Sequence, residues 1–160
     1  MSIRTGIGYD CHRFADGRRL VLGGVEIPGA RGLAGHSDAD VLTHAIIDAL
    51  LGAAALGDIG QHFPDTDEAY RDADSLALLR ATAGLVREAG FSVVNVDATV
   101  VIERPKLADH RAGMRQALAG ALSVALDGVS VKATRGEGMG FVGREEGAAA
   151  LAIATLSAVT

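Results

Sequence analysis

Residues 35–67 constrain this chain more than any other stretch. They read GHSDADVLTHAIIDALLGAAALGDIGQHFPDTD, an apolar helix between two polar ends. From Leu42, the positions Ile46, Ala49, Leu50 and Ala53 recur at helical spacing and form one buried stripe. Asp40, His44 and Asp48 stand four apart and share a different face. Ser37 or Asp38 is the expected N-cap and Gly57 the expected stop. A helix with a histidine between two carboxylates, beside its greasy side, is placed to hold a ligand.

The flanking elements follow from pattern. Residues 3–14 read as a strand. Side chains two apart share a strand face, so Asp10 and His12 point together and Cys11 points away. An Asp16-Gly17 turn leads to a second strand over 20–27. Residues 57–72 form a polar loop with an apolar tip, Phe63-Pro64, and loops of that length are often functional. Asp74 or Ser75 caps a helix that runs to about Glu88, with Leu76, Leu79, Ala83 and Val86 inward and Gly90 at its end. Residues 91–103 are a β-branched strand broken by Pro105. A helix over 108–126 is expected to end at Gly128, followed by a short strand over 129–134 and a glycine-dense loop over 135–144. The tail, 147–159, is Ala-rich: propensity favours helix, while the alternation of Leu151, Ile153 and Thr155 permits a strand. The order predicts one α+β domain over 1–160, a mixed sheet with helices on one face. The other face is expected to be rich in Val, Ala and Ile, and a homo-oligomer is the natural way to cover it.

Charge bounds the ligand. The formal net charge is −5 and no basic run occurs, which argues against nucleic acid as the main partner. An anionic ligand then needs local positive charge from a metal, a few Lys and Arg, or helix N-termini. The single Cys11 excludes an intrachain disulfide. No apolar run reaches the roughly 18 residues of a membrane span. The opening MSIRTGIGYD lacks a signal-peptide core. A cytoplasmic enzyme or binding module, without a membrane partner, is expected.

Four groups of residues carry candidate chemistry. Asp10, His12 and His44 offer the nitrogen-and-oxygen donor set of a catalytic zinc site with an open fourth position. Alternatively, the two histidines are polar core residues bonded to Asp10 and Asp40. In the loop TRGEGMGFVGR, Gly136, Gly138, Gly140 and Gly143 allow an anion-binding nest. Glu137 there suits a hard divalent cation, and Lys132 and Arg144 add charge; a flexible hairpin loop is the plainer alternative. Arg104-Pro105-Lys106 precedes a helix, as a phosphate or nucleotide seat or as a simple lead-in. Asp58, Asp65 and Asp67 suit sugar hydroxyls or a general base, or are turn residues. Neither a P-loop nor a dinucleotide fingerprint occurs.

Taken together, GIGYDCHRF, the run GHSDADVLTHAIIDALLGAAALGDIG, FPDTD, PKL, VKAT and GFVGREEG resemble the 2-C-methyl-D-erythritol 2,4-cyclodiphosphate synthase family of the non-mevalonate isoprenoid pathway. The resemblance runs from Arg4 to the C-terminal segment. It implies a homotrimer of α+β subunits packed through their sheets, with each active site between two neighbours. It implies zinc on Asp10, His12 and His44. It places His36 and Ser37 beside the phosphates, Asp58, Ile59 and Gly60 at the methylerythritol unit, and Phe63, Asp65 and Asp67 in a flap. Ile102, Pro105, Lys106, Leu107, Ala108, Ala133 and Thr134 match a cytidine-diphosphate pocket. Glu137 matches the ligand of a second metal, Mg²⁺ or Mn²⁺. Phe141 and Arg144 match positions near a central cavity and the phosphates, and that cavity can hold an isoprenoid diphosphate in family members. The tail would be a strand.

The implied reaction converts 4-diphosphocytidyl-2-C-methyl-D-erythritol 2-phosphate to the cyclic 2,4-diphosphate, releasing CMP. Where the family usually has two consecutive Thr, this chain has Thr134 and Arg135. Arg135, with His36, is a candidate for stabilising transition-state charge, or it points away. A zinc hydrolase of nucleoside diphosphates and a non-catalytic trimer binding isoprenoid diphosphate are the competing readings.

Overall fold

The computed structural model describes residues 2–159. The strands are β1 (Ile3–Ala15), β2 (Leu20–Leu22), β3 (Val25–Ile27), β4 (Gly32–Leu33), β5 (Phe91–Val101), β6 (Val129–Thr134) and β7 (Gly147–Ala158). The helices are α1 (Val41–Ala54), α2 (Ile59–His62), α3 (Ser75–Glu88), α4 (Arg111–Leu122) and α5 (Gly140–Gly143). Five strands form a mixed sheet in the order β4-β1-β7-β5-β6. Among the described residues only β5 and β6 run parallel. Helix α1 lies across β1 and β7, with α3 beside it and α4 against α3 and β6.

Small residues set how closely α1 approaches. Gly6 and Gly8 of β1 pair with Ala154 and Ala152 of β7. A Cβ on Gly8 would overlap the Ala45 carbonyl oxygen, and one on Gly6 that of Ala49. The helix therefore rests almost on strand backbone. Its remaining surface is apolar nearly all round, with Leu42, Ile46, Ile47, Leu50 and Leu51 fully buried.

The tail is a strand across its described length, against its helix propensity. It lies in the middle of the sheet, paired with β1 on one side and β5 on the other. Two ladders of hydrogen bonds outweigh the weak preference of Ala for helix. Residues 20–27 are two short strands, not one. Gly23 and Gly24 both take positive φ (57° and 75°) and turn the chain into a hairpin. The N-cap of α1 is Asp40, not Ser37 or Asp38, and its C-cap is Ala55, ahead of Gly57. Asp40 is fully buried and bonds the hairpin: its carboxylate accepts from the Gly23 and Gly24 amides (2.9 and 2.7 Å) and from the Thr43 amide and hydroxyl (3.0 and 2.7 Å). Burial pushes its carboxyl up despite those donors. It holds structure rather than ligand. Helix α4 stops at Leu122 with Ser123 left-handed, short of Gly128. The 57–72 loop is not structureless, since it contains α2 and a 3-10 turn, Glu68–Tyr70.

The face away from the helices is open in the single chain. Ile7 (71% exposed) pairs with Ile153 (50%), and Tyr9 with Leu151. The apolar band runs along β1 and β7, while the β5 side carries Asn95, Asp97 and Thr99.

Candidate active site

Strand β1 and helix α1 bring the first candidate group together. Asp10 and His12 face α1 from the strand, and His44 faces them from the first turns of the helix. Asp10 Oδ2 lies 2.8 Å from His12 Nε2 and 3.2 Å from His44 Nδ1. One donor atom from each residue falls within 4.8 Å of the others. His12 Nδ1 donates to the Ala34 carbonyl at 2.7 Å, so in the neutral ring the lone pair is on Nε2, facing the carboxylate. That Nε2 is buried and makes no aligned hydrogen bond despite its short distance from Asp10. An orphaned lone pair beside a carboxylate oxygen and a second imidazole is the donor set a divalent metal completes. Burial raises the Asp10 carboxyl, but the two imidazoles outweigh it and hold it at about 2. Burial lowers His12, and Asp10 more than restores it, so the net shift is upward.

His44 Nε2 points the other way, 2.8 Å from Ser75 Oγ and 3.2 Å from Ser37 Oγ. Ser75, His44 and Asp10 line up in the order of a nucleophilic triad. Ser75 is fully buried, however, and its hydroxyl donates to Asp38, so it is no nucleophile. His44 makes no bond to the Asp40 side chain, which is engaged elsewhere.

These three residues line a cavity of about 460 Å³. Its wall also includes His36, Ser37, Ile59, Gly60, Phe63 and Asp65. Asp58 and Asp67 do not line it. Asp58 closes a capping box on α2 with Gln61, and Asp67 caps the following 3-10 turn. The His36 ring donates to the Asp67 carbonyl at 2.9 Å, fastening the 63–67 segment over the cavity. Gly35, Tyr70 and Leu78 complete the wall, and the sequence reading does not single out the last two. Tyr70 packs edge-on against Phe63, ring centroids 5.5 Å apart. In a chain with so few aromatic residues, two in one polar loop were an available signal. Asp48, one turn beyond His44, accepts the Ile59 amide at 2.8 Å and positions α2.

A second cleft of about 230 Å³ opens where β5 and β6 end. It gathers Ile102, Glu103, Pro105, Lys106, Leu107, Ala108, Ala133 and Thr134, together with Arg135 and one residue not anticipated, Arg111. Glu103 accepts the Gly136 amide at 2.8 Å and ties the glycine loop to this cleft. Arg135 lies 3.6 Å from Glu137. Glu137 itself is exposed, at φ 54°, and belongs to no three-residue metal group among the described residues. Phe141 borders a hollow of about 650 Å³ with Cys11, Arg31 and Glu145. Arg144 does not line that hollow, and it pairs with Glu146 at 3.0 Å. Of the Asp10, His12 and His44 group, His12 alone also reaches that hollow.

Asp10, Ala150, Val100 and Ala133 are successive partners across β1, β7, β5 and β6. At normal strand spacing the two clefts of one chain are about 14 Å apart along that row.

The fold and site together define an α+β domain with a group able to hold one divalent metal in the wall of a cavity. Comparison with known proteins narrows the class: the model of the YgbB family matches residues 3–157, and the chain belongs to that family. A 2-C-methyl-D-erythritol 2,4-cyclodiphosphate synthase of Salinibacter ruber is 63% identical over 154 residues, covering 96% of this chain and 98% of the relative. Among solved structures, the bifunctional IspDF of Campylobacter jejuni superposes with a TM-score of 0.95 at 44% identity. That match covers 98% of this chain and 42% of the bifunctional one. An IspF from Plasmodium falciparum in complex with CDP superposes with a TM-score of 0.86 at 30% identity, covering 99% and 98% of the two chains. Among the described residues no helix is long and apolar enough to cross a membrane.

Proposed function

We propose that the chain is a 2-C-methyl-D-erythritol 2,4-cyclodiphosphate synthase, a phosphorus–oxygen lyase of isoprenoid precursor biosynthesis. The substrate is 4-diphosphocytidyl-2-C-methyl-D-erythritol 2-phosphate. An oxygen of its 2-phosphate attacks the β-phosphorus. The bond from that phosphorus to the α–β bridging oxygen breaks, CMP leaves, and the ring closes. Water and a protein nucleophile are both unnecessary, in keeping with the inaccessible Ser75. The observation that carries this reading is the Asp10, His12 and His44 group in the wall of a flap-covered cavity, on a chain matched over nearly its whole length by such synthases.

Catalysis here is a matter of folding one anion back onto another. A metal on Asp10, His12 and His44, zinc by its donor set, supplies Lewis-acid polarisation of a phosphoryl oxygen when bound. Ile59 and Gly60 hold the methylerythritol unit, with Asp58 capping the turn that presents them and Asp48 keeping the Ile59 amide in place. Phe63 and Asp65 close over it, and His36 keeps that flap fastened through Asp67 while standing beside the phosphates with Ser37. Lys106, Ala108, Ala133 and Thr134 seat the cytidine diphosphate in the second cleft. Glu137 offers a carboxylate for the Mg²⁺ or Mn²⁺ that accompanies a diphosphate.

Three copies pack through the band of Ile7, Tyr9, Leu151 and Ile153, which is too apolar to stay in water. Each active site then joins one copy's metal group to a neighbour's nucleotide cleft. Phe141 and Arg144 border the central cavity, where an isoprenoid diphosphate fits.

The test is ³¹P NMR of the purified protein with the cytidyl substrate and Mg²⁺, with zinc quantified on the same sample. Two coupled cyclic-diphosphate resonances growing in step with CMP are expected. Linear phosphates would identify a hydrolase instead.

Position 135 gives a further prediction. The exposed Arg135 guanidinium offsets the charge on Glu137 that a second metal would use. Arg135→Thr is expected to lower the Mg²⁺ concentration at half-maximal rate by up to about fivefold, the range of an exposed ion pair. A raised Mg²⁺ requirement would show that Arg135 assists the diphosphate directly.

A further inference from the structure

We infer that Ser75 and Asp38 form a relay that sets the tautomer of His44 and so decides which of its nitrogens meets the metal. The inference rests on the reading of Asp10, His12 and His44 as a metal centre. The argument turns on the single hydroxyl proton of Ser75. Asp38 accepts the Ser75 amide at 3.0 Å on one oxygen, and the Asp40 amide at 3.1 Å on the other. The second oxygen also receives the Ser75 hydroxyl in a short contact. A carboxylate has no proton to return, so the Ser75 proton is committed to Asp38. The Ser75 oxygen then has only lone pairs for His44 Nε2, 2.8 Å away. That nitrogen must be the protonated one, and the lone pair falls on Nδ1, facing Asp10.

His12 has the opposite arrangement. Its Nδ1 donates to a backbone carbonyl and its Nε2 is bare. The two imidazoles therefore reach the centre through different nitrogens, one set by main chain and the other by a side-chain relay. A ligating histidine whose second nitrogen donates to a fixed acceptor keeps its ring oriented and its ligating nitrogen basic. Ser75 is the first residue of α3 and is fully buried, so the relay also ties the start of that helix to the metal centre. Ser75 and Asp38 are positioning residues that touch no reacting atom.

Two measurements test this, neither of them turnover. The first is zinc affinity by competition with a chromophoric chelator for the wild type, Ser75→Ala and Asp38→Asn. Both variants are expected to bind zinc about 10 to 100 times more weakly than the wild type. Circular dichroism of the metal-free proteins checks that the fold is kept. Affinity within about twofold of wild type in a folded Ser75→Ala protein overturns the relay. The second needs no variant: long-range ¹H–¹⁵N spectra of the zinc-loaded wild type. Zinc on Nδ1 of His44, with a slowly exchanging proton on Nε2, is expected. Zinc on Nε2 overturns the relay and leaves the metal centre standing. A wild type that binds no zinc overturns the metal centre itself.

Discussion

His44→Ala is expected to abolish stoichiometric zinc binding and to lower turnover by about a thousandfold or more. Lewis-acid stabilisation of a transferring phosphoryl group is worth several kcal/mol, and each 1.4 kcal/mol is about tenfold in rate. The substitution removes one of only three ligands, and no other His or Cys of the described residues joins the group. Asp10 and His12 would be left with an incomplete set. The fold should survive, since the His44 side chain sits at the cavity wall and the helix keeps its apolar surface. Zinc content by atomic emission and single-turnover kinetics on the same preparation check both effects. Full turnover in chelated buffer would remove the metal from the reaction.

Gly8→Ala should be strongly destabilising. The new Cβ would overlap the Ala45 carbonyl oxygen and press on the Ala49 amide, both helix backbone with no rotamer to change. Either α1 lifts away from β1 or the strand bends out of register with β7. Overpacking a rigid contact costs about 3 kcal/mol or more, a fall of roughly 10 °C in Tm for a domain of this size. The same displacement carries His44 away from Asp10 and His12, because the helix bearing it is the one pushed. Zinc affinity should therefore fall together with Tm. Thermal unfolding and a zinc titration of the variant check the pair. A Tm unchanged within a degree or two would mean that α1 rides higher on the sheet.

Much of the architecture was legible in the pattern. The alternation around Asp10 and His12 placed both on one strand face, and β1 shows that arrangement. The 3.6-residue stripe from Leu42 identified α1 and its buried side. The chain GHSDADVLTHAIIDALLGAAALGDIG carried the resemblance to the family that the comparisons establish. The errors have a common origin in tertiary bonding. Gly23-Gly24 passed for strand interior because nothing local says that a carboxylate sixteen residues on will bind both amides. Ser37 and Asp38 are good cap residues by type, but their side chains face His44 and Ser75, and Asp40 takes the cap. Asp58 and Asp67 cap turns, the alternative that their residue type had already offered.

By itself, the sequence determined which residues are strand or helix formers, which face of each is apolar, and which side chains have the chemistry to bind a metal. Those properties are written in spacing and residue type, within a few residues of one another. Only the tertiary structure decided that the Ala-rich tail is a strand, since that required two neighbouring strands to offer hydrogen bonds. Only it brought His44 within 3.2 Å of Asp10, thirty-four residues away, and set Ser75 behind it. A hydrogen-bond partner is chosen by direction and distance after the chain has closed on itself, and neither quantity exists until the glycines of β1 let the helix settle.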